Sequence, residues 1–308
     1  MKLPGQCSTT GAVALLAVVG CGGGRMPLPA LEPSAVGDTS GLVQRGEYIV
    51  RNVANCGHCH AADPGNPDGP LSGGFAFRNW RLGTVRASNL TPDPVTGLGA
   101  WSDAEIVRAI RNGIDRDGRV LAPVMPYTWF SGMSERDALA IARYLRTLEP
   151  VRNVVRQDHN LIYAIGELLF LEPARSGQSR PPPRAATPEY GEYLALHIAL
   201  CADCHTPRGG LRAAPRLDQL FAGTADPPAG FPENPDNLTP HGGTGIGSWT
   251  EEDFLQTLRT GVNPAGVELH PFMPWRQFRR MTGDDLRAIY RYLRTVPPVR
   301  NEVPDRAG

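Results

Sequence analysis

Two short segments hold residues whose types and spacing could do chemistry together. Asn55-Cys56-Gly57-His58-Cys59-His60 and Leu200-Cys201-Ala202-Asp203-Cys204-His205 both spell Cys-x-x-Cys-His. Two thiols three residues apart lie on one helical turn and can add to both vinyl groups of a single haem, with the next histidine held beneath the iron. This spacing is the signature of c-type haem attachment. A four-cysteine zinc site is the competing reading. It leaves His60 and His205 idle and must pair thiols from motifs 145 positions apart. Two covalently attached haem c groups are therefore expected, on Cys56, Cys59 and His60 and on Cys201, Cys204 and His205.

A sixth iron ligand must come from further along. Met125 and Met133 in the first half answer to Met273 and Met281 in the second. Met125 precedes Pro126 and Met273 precedes Pro274, and a following proline keeps a residue in extended backbone, from which a thioether can lie across an iron. Met133 and Met281 precede helix caps, where an apolar residue acts as a staple. The expected axial pairs are thus His60/Met125 and His205/Met273. His241 and His270 are alternatives for the second haem alone, since Asp93 and Ala122 stand at the matching places in the first half. Histidine/methionine ligation raises the potential relative to two histidines. It also fills both axial positions, which favours electron transfer over binding of peroxide or oxygen.

The elements that must position these residues recur in tandem. Asn89-Leu90-Thr91-Pro92 matches Asn237-Leu238-Thr239-Pro240, Trp101 matches Trp249, and Val151-Arg152-Asn153 matches Val299-Arg300-Asn301, each at an offset of 148; the Cys-x-x-Cys-His motifs differ by 145. The second copy thus carries three extra residues, expected in a loop, between its haem motif and Asn237. Two copies make a duplicated domain rather than a solenoid. The expected organisation is 1–20 leader, 21–40 tether, 41–153 first domain, 154–187 linker and 188–308 second domain. Each copy shows three helical signals: apolar spacing over 42–53 and 190–200, capping sequences from Ser102 and Thr250, and capping residues Ser134 and Thr282 ahead of a last helix. No alternating strand pattern competes. Gly46 with Tyr144, and Gly191 with Tyr292, read as close helix crossings. Pro70 and Pro215, each ten residues past the ligand histidine, offer carbonyls to orient its ring. Trp101 and Trp249 read either as donors to haem propionates or as core.

Composition bounds the rest. Among 308 residues, 35 glycines and 30 prolines predict a loop-rich, mostly α fold in which each haem completes a core. Lys+Arg and Asp+Glu are both 31, so nothing points to nucleic acid. Residues 11–19 form a short apolar run behind Met1-Lys2, read as a secretory signal rather than a spanning helix. Val18-Val19-Gly20-Cys21 resembles a bacterial lipobox, making Cys21 the expected lipid-attachment site and the periplasmic face of a membrane the expected location; a soluble periplasmic protein is the alternative. Residues 161–171 are apolar and read as a short helix or turn packed on a domain, with a membrane or partner contact as the alternative.

With these residues in hand, each copy resembles a class I cytochrome c. The stretch from Asn89-Leu90-Thr91-Pro92 through Gly97-Leu98-Gly99-Ala100-Trp101-Ser102 to Met125-Pro126-Tyr127, and Cys201-Ala202-Asp203-Cys204-His205-Thr206-Pro207-Arg208, are similar to the multihaem cytochrome c subunits of bacterial membrane-bound alcohol, aldehyde and gluconate dehydrogenases. Those subunits typically carry three haem domains, against two here. The resemblance implies a non-catalytic electron carrier whose redox partners are a dehydrogenase, a quinol oxidiser or a terminal oxidase. The competing function is a dihaem cytochrome c peroxidase, in which one iron would open on reduction of the other.

Overall fold

A computed structural model describes residues 39–79, 83–159, 171–177, 180–210, 214–225 and 233–304. The expected leader, Cys7 and Cys21 lie outside the described residues, as do 161–170 of the apolar run. Among the described residues no helix is long and apolar enough to cross a membrane.

The fold is mostly helical, as composition and capping signals predict. The first half runs α1 (Thr39–Tyr48), a π-helical turn Ile49–Val53, α2 (Gly57–His60), β1 (Ala76–Asn79), β2 (Gly83–Arg86), α3 (Asp103–Asn112), α4 (Tyr127–Phe130) and α5 (Glu135–Leu145). After β3 (Asp158–His159), the second half repeats the helix order: α6 (Pro188–His197), α7 (Cys201–His205), α8 (Glu251–Thr260), α9 (Trp275–Phe278) and α10 (Gly283–Leu293). The second α-helical signal ends three residues earlier than its spacing suggests, at His197.

The local causes are the expected ones. Ser102 Oγ accepts from Glu105 N while Glu105 accepts from Ser102 N, and Thr250 with Asp253 does the same, so α3 and α8 start on capping boxes. Ser134 and Thr282 cap α5 and α10. Ile106, Val107 and Ile110 on α3, and Phe254, Leu255 and Leu258 on α8, are buried. Each such side chain contributes about 1.5–3 kcal/mol relative to exposure. Helix α1 crosses α5, and α6 crosses α10, with backbone almost in contact. A Cβ on Gly46 would lie 1.9 Å from Ala140 O and 2.7 Å from Tyr144 Cβ; on Gly191 it would lie 1.9 Å from Ala288 O and 2.9 Å from Tyr292 Cβ. Only glycine permits these crossings, as the Gly/Tyr pairing in the sequence suggests.

Strands are present where none was expected. β1 and β2 form an antiparallel hairpin, β3 adds to its edge, and β4 (Arg208–Gly209) pairs β5 (Ala214–Pro215). They are two to four residues long, too short to impose a visible alternation. Side chains supplement the pairing: Arg86 N donates to Gln157 Oε1, and Gln157 Nε2 donates back to Arg86 O, both at 2.8 Å.

The halves pack by an exchange of equivalent residues. Tyr193 of the second half donates to Asp137 Oδ2 at 2.7 Å and accepts from Ser134 N. Tyr48 of the first half donates to Asp285 Oδ2 at 2.6 Å and accepts from Thr282 N. Each tyrosine lies ahead of its own haem motif and reaches the cap of the last helix in the opposite half.

Candidate functional site

Helices α2 and α7 set the cysteines and histidines on single turns. The residue ahead of each first cysteine, Asn55 (φ 46°) and Leu200 (φ 57°), is left-handed, and the chain swings there from the preceding helix into the attachment turn. All four cysteines are free thiols. Burial pushes Cys56 up to about 11 and Cys59 and Cys201 up to about 12, and raises Cys204 as well. Among the described residues no group of three or more His, Cys, Asp or Glu comes together to hold a metal ion.

The two histidines are held identically by backbone carbonyls. His60 Nδ1 lies 2.8 Å from Ser88 O, and His205 Nδ1 lies 2.7 Å from Asp236 O. Each ring thereby donates from Nδ1 and presents Nε2 as the nitrogen available to a metal. Burial lowers both pKa values against the opposing pull of the carbonyl bond, which keeps the imidazoles neutral, the form that ligates. The expected acceptors, Pro70 and Pro215, do not serve. Pro70 O takes Ala62 N–H instead, and Pro215 pairs with Arg208.

The carbonyls that do serve sit one residue ahead of the repeated Asn-Leu-Thr-Pro, whose role now becomes visible. Asn89 Oδ1 accepts from Thr91 N and Oγ1, while its Nδ2 donates to Thr96 Oγ1 and Val151 O. Asn237 makes the same four bonds to Thr239, Thr244 and Val299. Asn153 Nδ2 then donates to Ser72 O and Asn301 Nδ2 to Ala222 O, each at 2.8 Å. The asparagines thus latch the histidine-holding segment to the chain beyond the last helix.

A glycine in each half completes the fit: Gly73 (φ 77°) donates to His60 O and Gly223 (φ 73°) to His205 O. The segment from histidine to glycine is 13 residues long in the first half and 18 in the second, while glycine to asparagine shortens from 16 to 14. The three extra residues are therefore a net of two changes in loop length, both outside the latch.

All eight residues expected to hold haem border one continuous cavity of about 2160 Å³: Cys56, Cys59, His60, Met125, Cys201, Cys204, His205 and Met273. Small-molecule pockets are commonly about 300–1,000 Å³, so this space exceeds that of an ordinary small-molecule site. Met125 and Met273 are half-buried in loops, whereas Met133 and Met281 are buried in the core, Met281 also reaching the cavity wall. His270 borders the cavity but its Nδ1 accepts from Phe272 N at 3.0 Å. His241 Nδ1 accepts from Thr244 N and Gly243 N within its own loop. Trp101 and Trp249 line the wall.

The turns also meet across the halves, which motif reading missed. His58 packs edge-on against Phe272, next to Met273, with ring centres 4.6 Å apart. At the equivalent position Asp203 accepts from Trp129 Nε1 at 2.8 Å and pairs with Arg208. Paired thiols, an oriented neutral imidazole and thioethers around an apolar-walled cleft are the donor set of covalently attached haem, and the residues fit that group.

No family model matches the chain. It is 32% identical to the cytochrome c subunit of the quinone alcohol dehydrogenase of Gluconacetobacter polyoxogenes over 84% of its own length, and spans only 57% of that relative. It is 28% identical to the gluconate 2-dehydrogenase cytochrome c subunit of Pantoea cypripedii, covering 89% of this chain and 63% of the relative. A diheme cytochrome c-type protein of Cereibacter sphaeroides is 28% identical over 95% of this chain and 99% of its own. By these matches the chain is a homologue of dehydrogenase cytochrome c subunits and of a diheme cytochrome c.

Proposed function

We propose that this chain is a dihaem electron carrier built from two tandem class I cytochrome c domains, 41–153 and 188–308, that accepts electrons from a dehydrogenase on the periplasmic side of a bacterial membrane. Cys56 and Cys59, and Cys201 and Cys204, would hold the two haems through thioethers. His60 with Met125, and His205 with Met273, would be the axial ligands. Held by these residues, the haems would supply one-electron chemistry rather than peroxide turnover. Cys21 is the proposed lipid-attachment site.

One observation carries the reading. In each half a histidine whose Nδ1 is tied to a backbone carbonyl, at 2.8 and 2.7 Å, borders the same cavity as a methionine held in a turn just ahead of a proline. The protein's work is to fix ring orientation, supply the thioether and exclude water, while Asn89 and Asn237 hold the carbonyl-bearing segments in place. The dehydrogenase as electron donor is supported by the named roles of two relatives. The terminal acceptor is proposed as an oxidase or another carrier.

The ligand set is tested by Met125→Ala and Met273→Ala. Each is expected to abolish one methionine–iron charge-transfer band and lower one midpoint potential, and a variant that leaves both haems spectroscopically unchanged would remove that methionine from the scheme. Carbon monoxide should not bind the reduced native protein at neutral pH; binding with peroxide turnover would establish the peroxidase reading instead. Cys21→Ser should release the protein from membranes, and persistent attachment would refute lipidation at that residue.

A further inference from the structure

The two halves differ in what covers the surface behind the methionine loop. In the first half residues 171–177 of the chain's own connecting segment lie over it. Ala174 N donates to Asn112 O at 3.0 Å, and Asn112 Nδ2 donates back to Ala174 O at 2.8 Å. Gly177 N donates to Ser131 O, and Tyr127 Oη donates to Glu172 O. Beneath this cover Ile114 and Tyr127 are each 2% exposed.

At the 148-residue offset these positions are Thr260, Val262, Trp275 and Arg279. There Thr260 and Arg279 are exposed and Val262 is 36% exposed, while Trp275 is half-buried, its indole nitrogen covered and without an acceptor among the described residues. The charge differs too. Arg276 and Arg279 replace Thr128 and Ser131, and Arg259 stands where the first half has Arg111, which pairs with Glu135. Arg276 lies 4.6 Å over the Trp275 ring, and Arg259 donates to Arg279 O, so the three guanidinium-bearing residues border one face. Among the described residues none of the three is in an ion pair.

We infer that this face, with Val262 and Trp275 at its centre, docks an acidic, extended segment of the dehydrogenase partner; the step rests on the partnership proposed above. The first half supplies the mode of binding, because there the backbone of residues 171–177 bonds Asn112 at the end of α3, Tyr127 Oη at the start of α4 and Ser131 at its end. The second half supplies the charge selection, because three arginines that make no ion pair among the described residues favour carboxylates and reject basic segments.

The test uses full-length holoprotein carrying Arg276→Glu with Arg279→Glu, or Val262→Asp alone, none of them in the haem sites. Tagged wild-type and variant proteins are drawn from native membranes. The readouts are the dehydrogenase subunit recovered and the rate at which its substrate reduces the haems, with haem content checked by the reduced spectrum. Wild-type recovery should fall with rising salt, and the double reversal should reduce recovery about tenfold or more at equal haem content. Wild-type recovery by both variants would overturn the docking face while leaving the dehydrogenase partnership intact. Loss of self-association with the dehydrogenase retained would assign the face to a second copy and overturn the inference equally. Failure of wild type to recover any dehydrogenase would overturn the partnership, and the inference with it.

Discussion

Tyr193 reaches Asp137 and Tyr48 reaches Asp285, yet of the two only Asp137 is in an ion pair among the described residues. Arg45 donates from Nε and Nη2 to the two Asp137 oxygens, both at 2.9 Å, with the pair buried. The residue matching Arg45 in the second half is Tyr190, whose hydroxyl accepts from Arg45 Nη2 rather than serving Asp285. One carboxylate at the interface is thus held by an arginine fork and a tyrosine, and its counterpart by a tyrosine as its one side-chain donor outside its own cap among the described residues. Duplicated architecture survives this divergence because the shared tyrosine contact fixes the geometry. What the divergence changes is how the energy of the contact is distributed.

The largest expected effect follows from the fork. Arg45→Met strands a buried carboxylate, and breaking such a pair from one side costs about 3–5 kcal/mol. Urea denaturation of the holoprotein, read by amide exchange in each half, should show this loss, and Asp137→Asn in the same chain should recover part of it. A loss below about 1 kcal/mol, the range of an exposed pair, would show that the fork is solvated. The pH dependence has a definite sign. Burial pushes the Asp137 carboxyl up, but the Arg45 fork and Tyr193 outweigh it and hold the group below the usual carboxylate range. Its contribution is present above the unfolded carboxylate pKa of about 3.9 and disappears as pH falls through the lower folded value. Asp137→Asn should flatten that acid limb.

A middle-sized effect sharpens the same contrast. Tyr48→Phe leaves Asp285, 7% exposed, without its cross-half donor, whereas Tyr193→Phe leaves Asp137 its arginine. Hydrogen bonds to charged groups are worth about 1.5–3 kcal/mol, so Tyr48→Phe should cost about 2 kcal/mol and Tyr193→Phe about half of that. The reverse order in a denaturation series would mean that Arg45 depends on Tyr193 for its placement.

How much of this could be read from the chain depends on which atoms do the work. The placing of each Cys-x-x-Cys-His motif on one turn, the capping boxes and the Gly46 and Gly191 crossings rest on side-chain type, or on its absence, and these sequence signals matched the structure. The histidine anchors were not legible because they are carbonyls. Ser88 and Asp236 differ in type yet perform one task, and only their place ahead of Asn89 and Asn237 could have marked them. The Asn-Leu-Thr-Pro repeat was visible, but its latch closes on Val151 and Val299 some 60 positions away, a contact no local pattern encodes. Trp129 to Asp203 and His58 to Phe272 were hidden for a further reason. They join the halves with unlike chemistries at equivalent sites, so repeat matching passes over them.

The smallest expected effect is one that should not distinguish the halves at all. Glu105 N to Ser102 Oγ spans 3.2 Å and Asp253 N to Thr250 Oγ1 spans 3.1 Å, with the return bonds at 2.7 and 2.9 Å. The next residue of each box, Asp103 or Glu251, pairs with arginine on the last helix of its own half, Arg143 or Arg291. Ser102→Ala and Thr250→Ala therefore remove the same interactions from the same surroundings, at about 1 kcal/mol each. Amide exchange over α3 and α8 should report equal losses within about 0.5 kcal/mol, the usual limit for independent sites. Unequal losses would mean that the interface asymmetry at Arg45 spreads through α5 to its neighbours, and the two halves could no longer be treated as one architecture with a locally altered contact.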